Sequence, residues 1–351
     1  MQFSHENHYV PKWHQKGFIF PGEQSYQYRD LDPAIRELPN HEKLRIGEYS
    51  TCVPKQCFKQ RDLYATQIFG KPDDSIEKFL FGVIDDKGAL GIRAMANNDY
   101  PTLHKNFKQL FEYLDAQKLR TPKGLQWIKG HFWNLNQNEL MTEMLSLRNS
   151  NCVMWSEAIR EVVSAEKSSV KFILTDHPVT VFNIACPPNH PFNTNPNEPS
   201  IALKGSQTVF PLDMENCLIL TNLEYGKDPT GVDPLTPRTN ARFSGETIFM
   251  TDNTIRVREL KTDQVMAINY FLKTQASKYL AAADREWLNP EVFTWKEIAR
   301  VLIPPENEIW NYGGEKYVGF KDGSMTYQDA FGRGAHVPAE FMKMIQKKKE
   351  K

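Results

Sequence analysis

The hydrophobic period of this chain switches from strand to helix and back again, and that switching limits the fold more than any other feature. Up to about residue 70, extended pieces such as Tyr9-Val10-Pro11, Gly17 to Gly22 and the alternating Tyr26-Gln27-Tyr28 are broken by proline and glycine. Behind Asp73-Asp74-Ser75 the apolar residues then fall at Ile76, Phe79, Leu80, Val83 and Ile84, the spacing of one helix face. Leu103, Phe107, Leu110, Phe111 and Leu114 repeat it as far as Arg120-Thr121-Pro122, and a short helix is expected over 124–130. Two more are expected over about 137–148 and 153–165, the last on Met154, Ile159, Val162 and Val163.

Strand period returns at Val170 to Thr175, stops at Asp176-His177-Pro178, and resumes at Val179 to Phe182, Thr208 to Leu212 and Cys217 to Thr221. The proline-rich segment 185–200 and the Pro/Gly-rich segment 226–239 read as loops. A long helix is expected over about 263–286, with Val265, Ile268, Phe271, Leu272, Ala276, Tyr279 and Leu280 on one side. This order predicts an α+β fold: a mixed sheet of N-terminal and central strands, a helical block over about 73–165, and the late helix. Residues 1–285 read as one domain. Residues 286–351 read as an extension with a hairpin turning at Asp322-Gly323 and a basic tail at Lys347 to Lys351.

Charge narrows the functional classes. Lys+Arg and Asp+Glu are 43 each, so bulk electrostatic capture of nucleic acid is not expected, although a local basic patch keeps nucleic acid open as a partner. No stretch approaches the roughly 18 apolar residues of a membrane span, and the start lacks a signal-peptide pattern, so a soluble, cytoplasmic protein with no membrane partner is expected. The 5 scattered cysteines fit free buried thiols better than a disulfide framework. GxGxxG, GxxxxGK[ST], GxSxG, HExxH and paired CxxC are all missing, which argues against the common nucleotide cradles.

Several separated strings occur in one order: His8-Tyr9-Val10-Pro11 with Phe18, Lys55-Gln56-Cys57-Phe58 before Asp62-Leu63-Tyr64, Ile76-Glu77, Arg120-Thr121-Pro122, Phe172 to Val179, Phe210-Pro211-Leu212, and Asn269 with Ala276 and Tyr279. Over residues 8 to 285 the set resembles the family catalogued as domain of unknown function 4238. The resemblance implies a soluble single-domain protein and supplies no activity. One departure is His177, where the family typically has Asn after the Asp of its Thr/Ser-Asp-Asn-Pro string.

Candidate site residues follow from chemistry. His8, at a proline-stiffened strand start, suits a general base or metal ligand, or a histidine hydrogen-bonded into the core. Asp176, closing a strand before His177-Pro178, suits an acid, base or metal ligand, or a carboxylate capping a turn. Glu77 flanks the first helix's apolar stripe and reads as a third metal ligand or a solvated flank. Arg120 reads as a catalytic fork for phosphate or as support for a helix end. Asn269 reads as a core amide. His8, Asp176 and Arg120 as catalytic groups, with His8, Asp176 and Glu77 holding a divalent cation such as Mg or Mn, give a hydrolase, with a metal-dependent phosphodiesterase or nuclease as the leading expectation. The alternative is a non-catalytic binding or regulatory protein that meets its partner through the N-terminal aromatic strands and the 185–200 loop.

Overall fold

The strand Ile159–Ser164 lies near the centre of the fold, with all six residues buried. In the computed structural model the described residues are 5–303, apart from 40, 42, 157, 194–197 and 240–254, together with three strands at 320–321, 324–328 and 334–337. Ile159–Ser164 pairs antiparallel with Asn216–Thr221 and parallel with Ile255–Glu259. Ser206–Pro211 and Thr180–Asn183 extend the sheet on the other side, each pair antiparallel. Three of these strands are buried along their whole length, so both faces of the sheet are covered, and their sequences lack the apolar/polar alternation of a half-exposed strand. A second, antiparallel sheet runs in the order Leu174–Thr175, Tyr279–Ala282, Tyr26–Asp30, Tyr49–Cys52. The fold is α+β, as expected.

Local chemistry sets the helix boundaries. Asp99 accepts from Thr102 N at 3.2 Å, Thr121 from Gly124 N at 3.1 Å, and Asn136 shares a capping box with Glu139. The helices Gly82–Ala96 and Phe107–Leu119 cross closely because position 88 is glycine: a Cβ there would lie 2.5 Å from Tyr113 Cβ.

Four expectations need correction. The segment 153–165 is not one helix: a short helix, Cys152–Ser156, precedes the strand Ile159–Ser164. Periodicity alone does not separate a short buried strand from a helix, and here the β-branched Ile159, Val162 and Val163 pack on both faces of the sheet. The late helix spans Thr262–Gln275 and not 263–286, because Ala276 turns extended (φ −64°, ψ 144°) and Tyr279–Ala282 joins the second sheet. Along the first helix, a π-helical turn at Ile76–Phe81 adds a residue to the register. Phe79 and Val83 are therefore exposed, and Phe81, Ile84 and Ile92 take the buried face. Finally, Cys52 and Cys57 are joined in a disulfide, while Cys152, Cys186 and Cys217 are free and buried.

Residues 286–303 pack into the same core as the rest. Leu288, Ile298 and Leu302 are fully buried, and Trp295 Nε1 donates to Asn183 O at 2.8 Å. Phe320–Lys321 and Ser324–Gln328 pair as the two arms of a hairpin, while Asp322, Gly323 and the basic tail lie outside the described residues. Among the described residues no helix is long and apolar enough to cross a membrane.

Candidate functional site

His8 ends the strand Glu6–His8, half-buried, and its Nε2 donates to Lys55 O at 3.2 Å. Burial pushes its pKa down, helped by the charge of Lys12. Asp176 serves the backbone. Its Oδ1 accepts from Ser277 N at 2.9 Å, and its Oδ2 accepts from Lys278 N at 2.7 Å and Tyr279 N at 3.1 Å. Burial pushes this carboxyl up, and the three N–H donors oppose that shift. These bonds turn the chain out of the late helix and into the strand Tyr279–Ala282. No hydrogen bond or ion pair joins His8 to Asp176.

Glu77 and Arg120 do come together, around Asp85. Arg120 is fully buried between the rings of Phe81 and Tyr113, at 5.1 and 5.6 Å, and its Nη2 reaches Asp85 Oδ1 at 2.8 Å and Gln117 Oε1 at 2.6 Å. Burial pushes Glu77 up to about 7, against the pull of Arg120. Arg120 Nη1 and Glu77 Oε2 have no hydrogen-bond partner. The cation set expected from the sequence is thus dispersed: His8 binds a carbonyl, Asp176 binds N–H groups, and Glu77 faces Arg120. Among the described residues no group of three or more His, Cys, Asp or Glu side chains is placed to hold a metal ion. Asn269 is a core amide, with Oδ1 accepting from Ile173 N at 3.2 Å and Nδ2 donating to Lys171 O at 2.8 Å.

A cavity of about 290 Å³ lies elsewhere, against the first turns of the helix Pro122–His131. Lys123, Trp127 and His131, at four-residue spacing along that helix, form one wall. Gly124 also lines the cavity and has no room for a side chain: a Cβ would meet Lys118 O at 2.2 Å, so the helix starts hard against the end of Phe107–Leu119. His177 and Glu198 form the polar end. Thr121 Oγ1, the cap of this helix, lies 2.7 Å from His177 Nδ1. Oγ1 also accepts from Gly124 N at 3.1 Å and lies 3.5 Å from Lys118 O, and a hydroxyl has one proton to give and two lone pairs, so either ring nitrogen of His177 can carry the imidazole proton. Nε2 is 3.5 Å from Glu198 Oε2, too far for a good hydrogen bond, and has no other partner among the described residues.

The electrostatics of this end are unusual for a core. Burial pushes His177 down to about 4, so the imidazole is neutral at pH 7. Burial opposes the charge on Glu198, but the Lys118 ammonium at 2.9 Å holds its carboxyl well below the usual range. Glu198 Oε1 also accepts from Val181 N. Lys123 is 5% exposed, and burial lowers its pKa; its Nζ donates to Gln275 O at 2.7 Å and approaches Gln275 Oε1 at 3.2 Å.

Asp176 and His177 are adjacent in sequence, yet the structure gives them different partners, backbone N–H groups for the one and Thr121 for the other. The usable signal was Thr121-Pro122, an N-cap followed by proline at the first helical position, which locates a helix start beside the cavity. Glu198 carried no signal, being one acidic residue in a proline-rich loop. No family model, curated protein or solved structure matches the chain, so the resemblance over residues 8 to 285 rests on its separated strings alone.

Proposed function

We propose that the protein binds a compact organic molecule in the cavity beside the helix Pro122–His131, and that His177 is the group that moves a proton there. One observation carries this reading: a buried imidazole, oriented by Thr121, leaves Nε2 without a good partner at the wall of a 290 Å³ cavity. Buried polar atoms are nearly always satisfied, so an orphan on a cavity wall marks a place where a ligand or water belongs. The flanking carboxylate of Glu198 would stabilise an imidazolium formed during turnover. Hydrolysis suits this arrangement: with the ring proton on Nδ1, His177 Nε2 would take a proton from a cavity water as that water attacks the bound molecule, and return it to the leaving group as the scissile bond breaks. This keeps the hydrolase expectation but moves it from His8 and Asp176 to a different set of residues.

The test is ligand-observed NMR with a panel of small organic fragments, comparing the wild type with Met154→Trp, which places an indole in the cavity. Fragments should bind the wild type and lose their signal with the variant. Any hit is then titrated calorimetrically in buffers of different ionisation enthalpy, where proton uptake should appear in the wild type and vanish in His177→Asn. Fragments that bind both proteins equally, or proton uptake that persists in His177→Asn, would sink the reading.

A further inference from the structure

The charges around the cavity do not cancel. Glu198 is matched by Lys118, and its second oxygen is taken by Val181 N. Asp176, whose charge Lys123 also feels, is absent from the cavity wall and has its oxygens filled by three backbone N–H groups. His177 is neutral. That leaves Lys123 as a surplus cation on the wall, 5% exposed, with two of its three ammonium protons directed at Gln275 and the third without an acceptor among the described residues.

Two groups with unfilled hydrogen-bonding capacity belong to residues of the same wall, Lys123 Nζ and His177 Nε2, beside the first turn of a ten-residue helix, whose N-terminal dipole end favours negative charge. The helix end would carry no weight by itself. It is joined here by a 2% exposed histidine whose ring nitrogen lacks a partner. Away from this end the lining is largely apolar, with Leu119, Met154 and Ile201, and Trp127 packs against His131 in a tilted pair at 4.4 Å between centroids, which adds aromatic surface.

Resting on the reading that this cavity is the functional site, we infer that its ligand is a small monocarboxylic acid with an aromatic body, its carboxylate between Lys123 and His177 and its ring against Trp127. A carboxylate fits better than a phosphate because the surplus is a single positive charge, and a dianion would leave negative charge buried without a partner. It would give Lys123 the acceptor it lacks and His177 the hydrogen bond it lacks.

The experiment is isothermal titration at pH 7 of the whole protein with 3-phenylpropionate, its neutral amide 3-phenylpropanamide, and inorganic phosphate. The wild type should bind the acid at least about tenfold more tightly than the amide, the scale of one charge-assisted hydrogen bond. Lys123→Met should erase that preference, and Met154→Trp should abolish binding of both. Equal binding of acid and amide by the wild type overturns the carboxylate inference while the cavity reading stands. Phosphate binding as tightly as the acid overturns it in favour of a phosphate ligand. Binding of neither organic probe overturns the inference, and unaltered binding in Met154→Trp overturns the cavity reading with it. If Lys123→Met does not fold, His177→Asn is read for the same acid-to-amide ratio, and an unchanged ratio counts against the inference.

Discussion

Thr121 and His177, 56 residues apart in sequence, lie 2.7 Å apart through Oγ1 and Nδ1, and that one contact ties a helix start to the orientation of the cavity's imidazole. The hydroxyl has two tasks: it accepts from Gly124 N to cap the helix, and it shares a hydrogen bond with the ring nitrogen. Thr121→Ala should therefore cost about 1 kcal/mol for the lost cap and about 1 kcal/mol more for the unpartnered Nδ1, whereas Thr121→Ser should cost much less. Urea denaturation of both variants checks this. Equal losses would mean that the methyl group, not the hydroxyl, is what the site uses.

The buried imidazoles give stability a pH dependence of definite sign. His177 and His14 are each pushed by burial from 6.5 down to about 4, so as pH falls the unfolded chain binds the proton first. Their contribution is complete above pH 6.5 and is lost as pH falls towards 4, by up to about 1.4 kcal/mol per pH unit for each group. Glu77 acts in the opposite direction. Burial raises it from 4.5 to about 7, so its contribution is complete below pH 4.5 and is lost as pH rises through 7. The histidine share is isolated by comparing wild type with His177→Asn, whose stability curve should be flatter between pH 6.5 and 4. Parallel curves would show that His177 is already protonated in the fold.

Asp176 separates two roles that make different predictions. A metal ligand replaced by Asn would lose its metal response and keep its stability. A carboxylate accepting three N–H groups cannot be replaced in that way, because the amide nitrogen of Asn accepts none. Asp176→Asn should therefore destabilise the protein by about 1–3 kcal/mol. Thermal unfolding with and without Mg²⁺ distinguishes the two, and an undamaged variant would restore the ligand role.

What the sequence revealed depended on whether the deciding force was local. The switches of period placed the sheets and the helical block, and Asn269 could be read as a core amide because it sits on the apolar face of a strongly periodic helix. Ile159–Ser164 was misread because a central strand buried on both faces loses its period of two. The late helix was drawn too long because what ends it is a carboxylate 101 residues upstream. The cavity was invisible for the same reason: Lys123, His177 and Glu198 come from three separate segments, and only His177 lies in one of the strings that carry the resemblance.

The register of the first helix shows how one local irregularity misleads a periodicity argument, and it offers a sharp test. Ile76, Phe79, Leu80, Val83 and Ile84 share one face of a regular helix, so Val83 and Ile84 should both be buried there. The π-turn at Ile76–Phe81 inserts a residue, and the structure separates the two: Val83 is 48% exposed and Ile84 is 8% exposed. Ile84→Asp would bury an unpaired charge in the core beneath the helix and should cost several kcal/mol. Val83→Asp faces water and should cost about 0.5 kcal/mol or less beyond its change in helix propensity. The pair can be measured side by side by urea denaturation. Comparable losses would mean a regular helix through residues 76–84, whereas a difference of several kcal/mol is what the π-turn requires.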